Sequence, residues 1–152
     1  MSTTLTPYLS FDGKTREAFA FYAKALGAEI QAMMSYDDMP AMPESEASGA
    51  DCGAGPRPTG DGIMHACLVL PGGARLMAGD TPPGMPFEGM TGVMLALEYG
   101  SVDQAHSAFN ALSQGGQVTM PLAPAFWAKT FGMLTDRFGI SWAVNGEPIA
   151  IA

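Results

Sequence analysis

The sequence repeats itself, and no other property restricts its fold as much. Shifted by 88 residues, LSFDGKTREAFAFYAKALGAEI at 9–30 falls without a gap on LEYGSVDQAHSAFNALSQGGQV at 97–118. Leu9 meets Leu97, Phe11 meets Tyr99, Phe21 meets Phe109, Gly27 meets Gly115 and Ile30 meets Val118. Few identities survive, but the apolar positions and the glycine recur in register. A chain of 152 residues patterned this way reads as one small unit used twice.

Both copies follow one order. An alternating run at 6–11, and again at 93–99, suits a strand with one buried face. A helix comes next. Ala18, Phe21, Tyr22, Ala25 and Leu26 form its apolar stripe in the first copy, and Gly27 ends it in a left-handed conformation. Val102, Ala105, Phe109 and Leu112 form the second stripe, with Ser101 as N-cap and Gly115-Gly116 as terminator. Three strands follow each helix, at 29–36, 63–70 and 74–79, then at 116–120, 127–134 and 140–145. The turns are Pro71-Gly72-Gly73 and Asp136-Arg137-Phe138-Gly139. The expected fold class is α+β, two tandem βαβββ modules. Residues 1–80 form the first module, 81–92 a proline- and glycine-rich linker, and 93–152 the second.

Residues 37–62 break the pattern. They hold four prolines, five glycines and an acidic cluster, Asp37, Asp38, Glu44, Glu46, Asp51 and Asp61, against Arg57 alone. They read as a solvated loop, with a lid over a site as the alternative. Elsewhere 47% hydrophobic and 14% charged residues suffice for a core. A net charge of −8 disfavours binding to nucleic acid. There is no run of eighteen apolar residues, so no membrane span is expected. MSTTLTPYLSF has no basic segment followed by an apolar one, and Cys52 and Cys67 make no disulfide framework; cytoplasmic residence is expected.

Three segments, TPYLSFDGKTREAFAFYAKALGAEI, MHACLVLPGGARLMAGD and FWAKTFGMLTDRFGISWAVN, resemble the vicinal oxygen chelate superfamily. That superfamily includes glyoxalase I, bleomycin-resistance proteins and extradiol dioxygenases, and the likeness is greatest to its PhnB-like branch. The resemblance implies the glyoxalase/bleomycin-resistance fold, in which each module curls its mixed sheet into a cup, and a homodimer. In the superfamily's metalloenzymes, one ligand comes from the first and one from the last strand of each half. Carried onto this sequence, those positions fall near Thr6 or Pro7, Met77, Val93 or Met94, and Ala143. None is histidine or carboxylate, so no metal and no cofactor are expected. Lys129 stands one place earlier than the branch's basic residue, which puts a role for it in the cavity in doubt.

A cavity without an ion recognises its ligand by shape, stacking and a few polar groups. By alternation Trp127, Phe131 and Met133 share one face of their strand with Lys129. Phe126, Ala128, Thr130, Gly132 and Leu134 share the other, and sequence does not say which faces inward. Tyr36, Met77 and Trp142 complete the expected pocket. His65 opens a strand and is the candidate general base; His106 falls on the exposed side of a helix. His65 with Asp80 or Glu147 gives two ligands, too few for a tight metal site. No GxGxxG, P-loop or GxSxG is present. The expected function is metal-independent binding of a small molecule. The alternative is a lyase, isomerase or dioxygenase using a non-standard metal site or His65 as base.

Overall fold

The computed structural model describes residues 2–38, 62–82 and 84–150. The segment read as a loop or lid therefore lies, apart from its ends, outside the described residues, as does Cys52. The elements are β1 (Tyr8–Phe11), α1 (Thr15–Leu26), β2 (Glu29–Ser35), a single 3-10 turn (Tyr36–Asp38), β3 (Ile63–Val69), β4 (Arg75–Asp80), β5 (Leu95–Tyr99), α2 (Val102–Leu112), β6 (Gln117–Ala123), β7 (Ala128–Thr135) and β8 (Ser141–Pro148). Two four-stranded sheets result, ordered β1-β4-β3-β2 and β5-β8-β7-β6. In each the first strand pairs parallel with the last, and the other pairings are antiparallel. This is the α+β arrangement of two tandem βαβββ modules that the repeat implies.

Each helix covers one face of its own sheet. Leu9, Phe11, Phe19, Tyr22, Leu68 and Leu76 are buried in the first module; Phe109, Leu112, Leu134, Trp142 and Val144 are buried in the second. The α1 stripe differs from its sequence reading. Phe19 is the buried ring, whereas Phe21 is only partly buried and packs on Phe138 of the other module. A 100° step per residue lets either ring fall near the stripe, and the second module decides between them. Gly27 ends α1 at φ 61, as expected. The α2 helix stops at Leu112 with Ser113 as its cap, before the glycine pair. The outer strand β6 carries Pro121, which an edge tolerates because no ladder hydrogen bond is demanded of its outer side.

The helix N-termini are satisfied in different ways. Ser101 caps α2, accepting from the Gln104 amide at 3.2 Å. Lys14, at the N-cap of α1, makes no side-chain cap. Asp80, at the end of β4, serves instead. Its Oδ1 accepts from the Thr15 amide (3.0 Å) and hydroxyl (2.7 Å), and its Oδ2 from the Ile63 amide (2.8 Å). A carboxylate there also complements the helix dipole.

The β7–β8 turn joins the modules. Asp136 Oδ1 accepts from the amides of Phe138 and Ile140, which shapes the turn. Its Oδ2 accepts from Tyr22 Oη (2.5 Å) and Trp142 Nε1 (2.8 Å). Phe138 meets Phe11, Phe21 and Tyr22 edge-on, with ring centroids 6.2, 5.7 and 6.1 Å away. The Arg137 guanidinium lies 4.6 Å from the centroid of the Phe21 ring.

Candidate functional site

The helix-free face of each sheet is where a ligand can approach. The buried positions of β7 are Ala128, Thr130, Gly132 and Leu134, so Trp127, Lys129, Phe131 and Met133 lie on the open side. Trp127 Nε1 donates to Asn145 Oδ1 at 2.9 Å, which fixes the indole plane. The Trp127 ring stands edge-on to Phe131 (5.1 Å) and to the exposed Phe126 (4.6 Å). Register sets Phe131 opposite Asn145 and Met133 opposite Ala143. Lys129 is on this same open face and pairs with Glu147. Glu147, at φ 56, is the one non-glycine with positive φ among the described residues. Strain of that kind is most often kept where a side chain must be aimed.

The open face of the first sheet is more polar. Register puts Tyr8, Met77 and Cys67 side by side. The Tyr8 hydroxyl donates to the Met64 carbonyl at 3.2 Å and lies 3.4 Å from His65 Nδ1, with the two rings stacked at 5.8 Å. Burial, with Tyr36 second, raises the Tyr8 pKa, so the phenol is neutral at physiological pH. The Tyr36 hydroxyl donates to the Asp80 carbonyl at 2.9 Å. Tyr8, Ser10, Tyr36, Met64 and Gly79 meet Met85 and Phe87 around a cavity of about 410 Å³.

The expected pocket residues do not form one set. Trp127, Phe131 and Met133 lie together on the second sheet; Met77 and Tyr36 belong to the first. Trp142 is 2% exposed, on the helix side, with its indole against Tyr22 (5.4 Å) and its N–H on Asp136. It is a core residue whose edge reaches the cleft between modules. Sequence reading passed over Tyr8 and Asn145. The signal for both was alternation: Tyr8 and Ser10 oppose the buried Leu9 and Phe11, and Asn145 is two residues from Ala143.

The donors at the superfamily's metal positions do not fit a divalent ion. Sequence puts two of these positions near Thr6 or Pro7 and near Val93 or Met94; the residues that register sets beside Met77 and Ala143 are instead Tyr8 and Ala96. These four offer one phenol and one thioether where hard nitrogen and oxygen donors are needed. Asp80 is engaged elsewhere, its Oδ1 by the α1 terminus and its Oδ2 by the Ile63 amide of β3. Among the described residues, no group of three or more His, Cys, Asp or Glu could hold an ion. No helix among them is long and apolar enough to cross a membrane.

Comparison with known proteins agrees with the fold. The profile of the Glyoxalase/Bleomycin resistance protein/Dioxygenase superfamily matches residues 4–144. Protein YjdN of Escherichia coli K12 is 33% identical over 141 residues, 93% of either chain. The crystal structure of PA1353 from Pseudomonas aeruginosa superposes with a TM-score of 0.78 at 43% identity, covering 95% of this chain and 97% of that one. The PhnB protein from Bacillus cereus superposes at 0.71 with 26% identity, covering 94% and 98%.

Proposed function

The chain belongs to the Glyoxalase/Bleomycin resistance protein/Dioxygenase superfamily, in its PhnB-like branch, and from that premise we propose that it binds a small molecule without a metal. The observation that carries this reading is the open face of β7 and β8. There an indole held by Asn145, the Phe131 ring and Met133 form an apolar wall, with Lys129 and Glu147 beside it. Such a wall suits a flat aromatic ligand carrying a few polar groups. The exposed Ile30, Met34, Val118 and Met120 on the outer strands favour a homodimer that covers them. The acidic balance weighs against nucleic-acid partners.

Native mass spectrometry without chelator is the test. A dimer that retains an organic adduct and no metal supports the reading. One divalent ion per chain overturns it. A second reading, catalysis with His65 as base, is favoured by the 3.4 Å approach of the Tyr8 hydroxyl to His65 Nδ1, a contact that can orient the ring. Turnover lost in His65→Ala with binding retained would bring that reading forward.

A further inference from the structure

The two turns that reach across between the modules are built alike and closed differently. In the β3–β4 turn Leu70 N donates to Ala74 O (2.8 Å) and Gly73 N to Leu70 O (2.9 Å). In the β7–β8 turn Asp136 N donates to Ile140 O (2.8 Å) and Gly139 N to Asp136 O (3.0 Å). Leu70, Gly72, Gly73 and Ala74 thus correspond to Asp136, Phe138, Gly139 and Ile140. Phe138 fills its joint, while Gly72, at φ 98, has no side chain to fill the other.

The exposure of the facing strands reports the difference. Leu9 and Phe11, under the filled joint, are 2% and 1% exposed. Their counterparts Leu97 and Tyr99 are only partly buried. Beside them is a cleft of about 700 Å³, walled by Leu26, Leu70, Leu97, Tyr99 and Ala108. That is within the size range of small-molecule sites. Of the two acids at its edge, Asp103 of α2 is on the cleft side, whereas register sets Glu98 beside Asn145 on the open sheet face. The filled joint shows what such a space accepts: a phenyl ring, Phe138, beside a cation, Arg137.

We infer that the open joint is a second ligand site, taking a small molecule in which an aromatic ring is joined by a short chain to a protonated amine. The ring takes the place that Phe138 holds in the other joint, and the amine faces Asp103 of α2. This site is separate from the open sheet faces.

The probe is 2-phenylethylamine, titrated into the full chain and followed by ligand-observed NMR, with phenylacetate as its anionic counterpart. The amine is expected to bind saturably, and phenylacetate at least about tenfold more weakly. Ser107→Trp, at an exposed α2 position lining the cleft, is expected to weaken the amine by about tenfold or more. Ala74→Phe, at an exposed position of the β3–β4 turn, obstructs the cleft independently and is expected to do the same. Phe131→Ala is expected to leave amine binding unchanged. Absence of saturable binding at millimolar amine overturns the inference. So does full binding in both obstructed variants, or loss in Phe131→Ala alone, which would put the amine on the open sheet face. A change of native mass from dimer to monomer in Ser107→Trp would also overturn it, by showing that a second copy covers the cleft.

Discussion

The Tyr22 hydroxyl donates to Asp136 Oδ2 at 2.5 Å, so a helix of the first module and a turn of the second share one buried carboxylate. Tyr22 is fully buried and Asp136 4% exposed. Hydrogen bonds to a charged group contribute about 1.5–3 kcal/mol, and Tyr22→Phe should cost about that much. Asp136→Ala should cost more, about 3 kcal/mol or above, because it orphans the Tyr22 hydroxyl, the Trp142 indole and two turn amides together. Urea unfolding of the two variants measures the difference. Equal losses would mean that the turn amides and the indole find other partners.

The same contact gives a pH dependence. Burial, and next the Asp136 charge, push the Tyr22 pKa far above the ordinary 10.0. Above that value the unfolded chain releases a proton that the folded chain keeps. Stability from this group is therefore complete below about pH 10 and declines as pH rises further, by up to about 1.4 kcal/mol per pH unit. Tyr8, Tyr36 and Tyr99 are shifted in the same direction. Tyr22→Phe should reduce the slope between pH 10 and 11.5 without abolishing it. Urea midpoints across that range decide, and an unchanged slope would count against a Tyr22 proton held by the fold.

Asp80 and Ser101 do the same task at the two helix starts, with different reach. Ser101→Ala removes one local cap and should cost about 1 kcal/mol. Asp80→Ala removes three hydrogen bonds that link α1, β3 and β4, and should cost about 2–4 kcal/mol. Thermal unfolding of both variants tests the ranking. If Asp80→Ala proved the milder one, water would be serving the α1 terminus adequately.

Much of this was legible in the sequence, and the part that was not has a physical cause. The repeat, Gly27, Ser101 and the order of elements follow from local rules, so a single chain shows them. Local rules are also enough to group Trp127 with Phe131 and Met133, since alternation in a strand is fixed. They do not say which face the helix covers, and so the open face became known only from the burial of Ala128, Thr130 and Leu134. Sequence offers Trp142 to the pocket only as a further aromatic residue on a strand. Its true position depends on Asp136 and Tyr22, the latter far away in the chain, and no window along the sequence contains that contact. Phe21 was misread for the same reason. Its partners, Phe138 and Arg137, belong to the other module.

Asn145 is the polar residue whose loss should change recognition more than stability. Asn145→Ala releases the Trp127 indole, which is part-buried and can turn to water. Binding of an aromatic probe, anilinonaphthalene sulfonate, should weaken several-fold, while the unfolding free energy should change by less than about 1 kcal/mol. Phe131→Ala removes the ring itself and should weaken the probe by about tenfold. Fluorescence titration reads both variants. Unchanged affinity in both would remove the open face of β7 from the proposed site.

Gly146 occupies in β8 the place that Asp80 occupies in β4, since Tyr99 pairs with Gly146 as Phe11 pairs with Asp80. In the first module a carboxylate fits there and reaches the helix start. In the second module there is no room. A Cβ on Gly146 would lie 2.7 Å from Ala105 Cβ and 2.7 Å from Thr130 Cγ2, both firmly packed atoms. Because Ser101 already caps α2, the strand is free to run closer beneath the helix, and glycine is what that approach requires. Gly146→Ala should therefore force α2 and β7 apart at a cost of about 1–3 kcal/mol. Gly100→Ala, which meets nothing within 4 Å, should change stability by less than about 0.5 kcal/mol. Calorimetry on the pair separates close packing from general intolerance of glycine replacement. Similar small losses in both would mean that α2 shifts outward easily.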